Sequence, residues 1–145
     1  FDQPITVYTA EEQEGQGTGE KHRLTEMVDE EMTSWIAHYA GRHLSWLQGL
    51  DIDLDNVRLR EHLDDELAHY SSTCWDIEYK FPFGWKEIMG LADRGDFDLS
   101  QHIDHSGESL CVHDQDKDEH VIPEVACEPS LVVDRLSLTV LYDSS

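Results

Sequence analysis

Apolar side chains between Leu24 and Leu50 return at spacings of three, four or their sums: Leu24, Met27, Val28, Met32, Trp35, Ile36, Tyr39, Trp46, Leu47 and Leu50. This is the stripe of an amphipathic helix, with Glu26, Asp29, Glu30 and Glu31 mostly off it. Gly41 marks the expected join between two helices, and His38 and His43 read as packing or surface residues. Elsewhere the pattern shortens to a period of two. Ile5–Tyr8 and Val57–His62 read as strands. Along Cys74–Lys80, Trp75, Ile77 and Tyr79 point one way and Asp76, Glu78 and Lys80 the other. Pro82, Phe83 and Gly84 make a turn, and Trp85–Leu91 returns as a strand. Strict alternation would put Trp85, Glu87, Met89 and Leu91 on one face, leaving Glu87 a carboxylate among apolar neighbours.

The remaining segments are shorter. Asp64–Tyr70 and Phe97–His105 read as helices, and Leu110–His113 and His120–Cys127 as strands around the acidic turn Asp114–Glu119. Glu128–Arg135 then forms a corner. Pro129 and Ser130 are expected to start a helix there, with Ser130 as the N-cap and Asp134 in the early turns, where a negative charge suits the helix dipole. The apolar run Leu136–Tyr142 continues it. Strands outnumber crossover helices and the turns are short, which predicts an α+β fold: a mainly antiparallel sheet flanked by helices.

Composition narrows the picture. The chain has 145 residues, room for one domain with a sizeable core, and 39% apolar content, which argues for a globular protein. It carries 32 acidic against 10 basic side chains, a net charge of −22. Such a surface repels anionic partners at low salt. A Debye length of about 3 Å at 1 M salt would screen most of this, so a salt-loving host is expected. The cysteines Cys74, Cys111 and Cys127 show no CxxC spacing, which points to a reducing, cytoplasmic setting. No run reaches the about 18 apolar residues of a membrane span, and no signal peptide is visible. The start at Phe1 and the stop at Ser145 suggest a segment of something longer.

Three places could carry chemistry. The alternating Gly15, Gly17 and Gly19 lack a Gly-Lys-Ser/Thr word and sit among glutamates, so a flexible turn is expected within the polar loop Thr9–Glu20. His102, His105, Cys111, His113 and His120 form a histidine-rich constellation whose spacing matches no zinc-finger pattern; solvated histidines are the stronger reading. Carboxylates and arginines collect at strand ends: Glu87, Arg94, Glu128 and Arg135, with Asp76 and Glu78 alongside. Such a set is either a structural ion-pair network or a site that holds an ammonium group and a phosphate chain with a divalent cation.

Read together, the words Arg58-Leu-Arg-Glu-His62, Ala68-His-Tyr70, Cys74-Trp-Asp-Ile-Glu78, Gly84-Trp-Lys-Glu87, Ala92-Asp-Arg94 followed by Phe97-Asp-Leu99, and Glu128-Pro-Ser130 with Asp134-Arg135 resemble the catalytic domain of archaeal/eukaryotic-type glycyl-tRNA synthetase, a class II synthetase. The resemblance implies an incomplete class II fold in which residues 1–145 form its C-terminal part, from after motif 2 through motif 3, helical over 20–50 and sheet plus helices over 57–145. It implies ATP-dependent activation of glycine to glycyl-adenylate and transfer to tRNA(Gly), with ATP and Mg²⁺ as cofactors. Glu128, Pro129 and Ser130 then match the glycine pocket. Arg135 matches the motif 3 arginine on ATP, Glu87 and Ile88 an ATP-contact pair, and Arg94 an arginine close to substrate. By its chemistry, Glu87 is also the expected Mg²⁺ ligand. Motifs 1 and 2 are absent from this chain, so a missing synthetase half or a homodimer partner is expected, and the isolated chain should show no ATP–pyrophosphate exchange. Val132 stands where the family has glycine. That substitution favours a second reading, a non-catalytic paralogue acting as a protein- or nucleic-acid-binding module.

Overall fold

The computed structural model describes residues 1–145. A six-stranded sheet organises the chain. In chain order, β1 (Ile5–Tyr8) is followed by the short helix α1 (Ala10–Glu14), β2 (Glu20–His22), α2 (Leu24–Met27) and the long helix α3 (Ser34–Gly49). Then come β3 (Val57–Glu61), β4 (Thr73–Phe81), β5 (Gly84–Asp93), α4 (Phe97–Ser106), the hairpin strands β6 (Val112–Asp114) and β7 (Glu119–Val121), β8 (Glu128–Leu131) and α5 (Val133–Asp143). The sheet order is β2-β1-β3-β4-β5-β8, with β6 and β7 forming a separate two-stranded sheet. The fold is α+β as expected, but the sheet is mixed: β1 runs parallel to β3, and every other neighbour is antiparallel. A parallel pair needs a long crossover, and α1 through α3 supply it.

The apolar stripe of α3 packs on one face of this sheet. Ile36, Ala40, Leu44 and Leu47 are fully buried with Val57, Leu59, Trp75, Ile77 and Leu91, and Leu136 of α5 joins the same core. The helical stripe from Leu24 is interrupted at residues 28–33 and not at the expected join, Gly41. Three successive acids stand there, Asp29 takes a positive φ of 67°, and Thr33 caps α3 by accepting from the Ile36 N–H at 3.2 Å. Gly41 lies inside α3, where a side chain would come within 3.3 Å of Leu24 Cδ1; glycine lets α2 sit close against α3.

Other sequence expectations shift in the same way. Asp64–Tyr70 forms turns and no helix. The Glu66 carboxylate reaches back to the Leu63 N–H at 2.8 Å and also holds Arg60 at 2.8 Å, a local alternative that a seven-residue helix cannot outbid. The stretch Thr9–Glu20 is not all loop, because Thr9 and Glu12 form a capping box that starts α1. The strand expected over His120–Cys127 stops at Val121. Beyond Pro123 only Val125 pairs, donating to the Gly95 carbonyl at 2.7 Å.

The corner at residues 128–135 is built differently from the sequence expectation. Pro129 and Ser130 do not start a helix. They lie in β8, where Gly90 pairs with Ser130 and Ala92 with Glu128. Pro129 is tolerated because β8 is an edge strand. The Val132 N–H still serves the sheet, donating to the Ile88 carbonyl at 2.9 Å, so α5 starts one residue later without a side-chain cap.

Candidate functional site

A β-bulge decides which way the key carboxylate points. Ile77 pairs with Met89 and Glu78 with Glu87, so Ile88 is an extra residue on β5. The bulge resets the alternation. Met89 and Leu91 face the core opposite Ile77 and Trp75, and Ile88 is buried as well. Glu87 instead shares the opposite face with Glu78, Asp76 and Gly90. The expectation that Glu87 sits on the face of Met89 and Leu91 is therefore corrected, and the cost of a carboxylate among apolar side chains does not arise in that form.

That opposite face is polar and pocketed. A cavity of about 270 Å³ opens over β4 and β5, walled by His62 and the loop of Glu66, Ala68, Tyr70 and Ser71, with Glu128 and Ser130 of β8 along the far side. Gly90 is its floor. A Cβ there would meet Ser130 Oγ at 2.7 Å, Glu87 Oε1 at 3.1 Å and Asp76 Oδ1 at 3.9 Å. Three oxygens from three strands thus converge above one backbone position, an approach that only glycine leaves open.

The charges in and around the cavity are arranged in pairs. Arg58 Nε donates to Glu78 Oε2 at 2.6 Å, and its guanidinium lies between the Tyr8 and Trp85 rings, 4.5 Å and 4.4 Å from their centroids. His62 Nε2 is 2.8 Å from Asp76 Oδ2 but poorly aligned for a hydrogen bond, so the contact is an electrostatic one and the buried nitrogen has no aligned acceptor. The Asp76 carboxylate first, and then the Cys74 thiol, push the imidazole up to about 10. Glu87 is held above the usual carboxylate range, first by burial and then by the charge on Asp76.

Arg94 sits at the rim. Its Nε and Nη2 donate to the two Asp98 oxygens at 2.7 and 2.8 Å, its Nη1 to Glu128 Oε1 at 3.1 Å, and its guanidinium lies 4.0 Å from the Tyr70 ring centroid. The Asp98 carboxylate foremost holds the guanidinium above its ordinary value, and in return Arg94 lowers Asp98. Arg135 stands in the first turns of α5 and donates through Nη1 to the Glu87 carbonyl at 3.0 Å. The structure thus brings Glu87, Glu128 and Ser130 to one cavity, with Arg94 bonded to Glu128 and Arg135 to the backbone of Glu87. Pro129 is solvent-exposed on β8, facing α3 instead of the cavity. The Ile88 side chain is buried in the core and its carbonyl is taken by Val132.

The histidine constellation does not converge. His105 Nδ1 lies 2.8 Å from the Gln101 carbonyl within α4, and His113 and His120 face each other across the hairpin with ring centroids 5.2 Å apart. The histidine that belongs to the site is His62, and its neighbours are Cys74 and Asp76. A sequence signal existed for two of them. Cys74 and Asp76 are two apart on a strand and therefore share a face, whereas His62 joins them only through the β3–β4 register, with its N–H donating to the Cys74 carbonyl at 2.9 Å.

As chemistry, the cavity offers carboxylates and a hydroxyl in a small space, suited to a compact cationic head such as a primary ammonium. No helix is long and apolar enough to cross a membrane. No family model matches the chain. The chain is similar to the Glycine--tRNA ligase of Staphylococcus epidermidis, 48% identical over 114 residues. That match covers 79% of this chain and 24% of the relative. It is also similar to the Glycine--tRNA ligase of Staphylococcus aureus strain JH9, 46% identical over 114 residues with the same shares covered. The chain thus spans about a quarter of the length of the curated relatives it matches, and along 79% of its own length it is similar to a segment of enzymes named glycine--tRNA ligase.

Proposed function

We propose that this chain is part of a glycine–tRNA ligase of class II, archaeal/eukaryotic type, and supplies its glycine pocket and motif 3. The observation that carries the reading is the convergence of Ser130 Oγ and Glu87 Oε1 over Gly90, with Glu128 on the same wall. A glycine zwitterion places its ammonium among these oxygens, where Glu128 binds the charge and Ser130 orients it. Pro129 lies between the two on β8. Selection of glycine would rest on the crowding of the Ser130 and Glu87 oxygens over the Gly90 floor, since one methylene of favourable contact supplies only about 1–3 kcal/mol.

The residues also fit ATP and Mg²⁺. Glu87 offers a half-buried carboxylate, and Arg135, beside it, retains guanidinium donors beyond the one spent on the Glu87 carbonyl. Ile88 has its side chain in the core and its carbonyl bonded to Val132, so its part is to hold the strand beside Glu87. When bound, Mg²⁺ neutralises phosphate charge during adenylate formation. The chain's own part is positional: it holds the glycine carboxylate for attack on the α-phosphorus, with pyrophosphate leaving and the glycyl group passing later to the 3′ end of tRNA(Gly). Arg94, fixed by Asp98, keeps Glu128 in place. The phosphate-gripping half of the site comes from a missing segment or partner, in a cytoplasmic and halophilic setting that the net charge of −22 supports.

Val132 favours the second reading, a non-catalytic synthetase-like paralogue acting as a binding module. Its φ of −93° and ψ of 91° need no glycine, and it stands three residues before Arg135. Glycine-dependent ATP–pyrophosphate exchange by the complete protein separates the two. The ligase reading expects exchange that falls by about 100-fold or more in Glu128→Gln. A complete, folded protein with no exchange would establish the paralogue, and exchange untouched by Glu128→Gln and Ser130→Ala would remove this pocket from the reaction.

A further inference from the structure

We propose that His62, Cys74 and Asp76 form a transition-metal site, with Zn²⁺ as the ion, on the inner wall of the cavity and separate from any Mg²⁺ that accompanies nucleotide. The three side chains present one nitrogen, one sulfur and one carboxylate oxygen, all within 4.8 Å of one another. Around a tetrahedral Zn²⁺, bond lengths of roughly 2.0–2.3 Å put ligand atoms about 3–4 Å apart, so side-chain shifts of about 1 Å close the set. The mixture of imidazole, thiolate and carboxylate is a borderline-soft one that selects zinc over magnesium or calcium.

The supports are rigid. Cys74 and Asp76 stand two residues apart on the same face of β4, paired with Ala92 and Gly90 of β5. His62 is tied to them by its backbone bond to the Cys74 carbonyl. Its buried Nε2 points into the group without an aligned acceptor, a polar atom that a metal ion would satisfy by taking the place of its proton. Three protein ligands leave a fourth position, which opens on the cavity where Glu66 and Glu87 line the wall. A water or a substrate group completes the shell there, the arrangement of zinc sites that keep one open position. The site does not depend on the ligase reading. It stands on the wall of the same cavity, so an ion bound there would add a positive charge opposite Glu87 whatever the cavity holds.

The test is metal analysis of the purified full chain after dialysis, together with Co²⁺ substitution. The expected result is an equivalent of Zn²⁺ that a chelator removes, and a near-ultraviolet thiolate-to-cobalt band in the Co²⁺ form. Cys74→Ala should lose both the equivalent and the band, whereas Cys111→Ala should keep them. His62→Gln should lose the equivalent as well. Where a variant fails to fold, the native chain still decides: Zn²⁺ should protect Cys74, and not Cys111, from alkylation read by mass spectrometry. A folded native chain that takes up no Zn²⁺, a Co²⁺ form without the thiolate band, or equal alkylation of Cys74 with and without Zn²⁺ would overturn the proposal.

Discussion

Strands β4 and β5 carry two kinds of surface back to back. On one face Trp75, Ile77, Met89 and Leu91 are fully buried beneath α3 and α5. On the other, Asp76 and Glu78 are nearly as buried, yet each has a cationic partner, His62 or Arg58. The first face is held by volume and the second by pairing. Volume tolerates exchange among apolar side chains of similar size, whereas a buried charge tolerates nothing that removes its partner alone. The same backbone thus gives a robust core and a precise site, and the two should fail differently.

The largest effect should come from breaking a pair. Arg58→Ala leaves Glu78 charged and only 10% exposed at its side chain, and should cost about 3–5 kcal/mol in chemical denaturation. Replacing both partners, Arg58→Met with Glu78→Leu, should recover most of that loss. If the double variant is no more stable than the single one, pairing is not what holds this face. On the core face, Ile77→Ala should cost about 2–5 kcal/mol through lost contacts and a residual cavity, with no rescue available from a partner substitution. A denaturation midpoint that does not move would mean the core relaxes around the gap.

Gly90→Ala tests the boundary between the faces. Its methyl would stand 2.7 Å from Ser130 Oγ. Stability should fall by about 1–3 kcal/mol, while on the proposed ligase function glycine-dependent exchange by the complete protein should drop by roughly 100-fold because the pocket floor has risen. Equal, small effects on both would show that the floor does not touch substrate. The smallest effect is at the rim. Asp98 is held below its ordinary value of 3.8 by Arg94, so its contribution is fully present above that value and is lost as pH falls through the lower folded one. Carboxyl titration by nuclear magnetic resonance should place the Asp98 midpoint below 3.8, and Arg94→Gln should return it. A midpoint at or above 3.8 in the native chain would show that the rim clamp is not closed in solution.

Alternation along Cys74–Lys80 and the helical stripe ending at Leu50 were legible because burial of one face imposes its period on the sequence. So was the gathering of Glu87, Glu128, Ser130, Arg94 and Arg135 around one cavity, whereas what each does there belongs to the proposed function. What the residues alone could not tell was the side on which Glu87 stands. One extra residue at Ile88 reverses the phase of β5, and a bulge has no signature in a strand that reads as regular. Ser130 misled for a related reason: it is a good helix cap by type, but the hydrogen bonds of β5 claimed it first. His62 entered the site through strand register, a relation between segments with no local trace. Local chemistry and periodicity were therefore determined by the sequence itself, because each is written within a few neighbouring residues. Facing, register and the meeting of His62 with Cys74 and Asp76 were decided by tertiary structure, because they arise only when distant strands hydrogen-bond to one another.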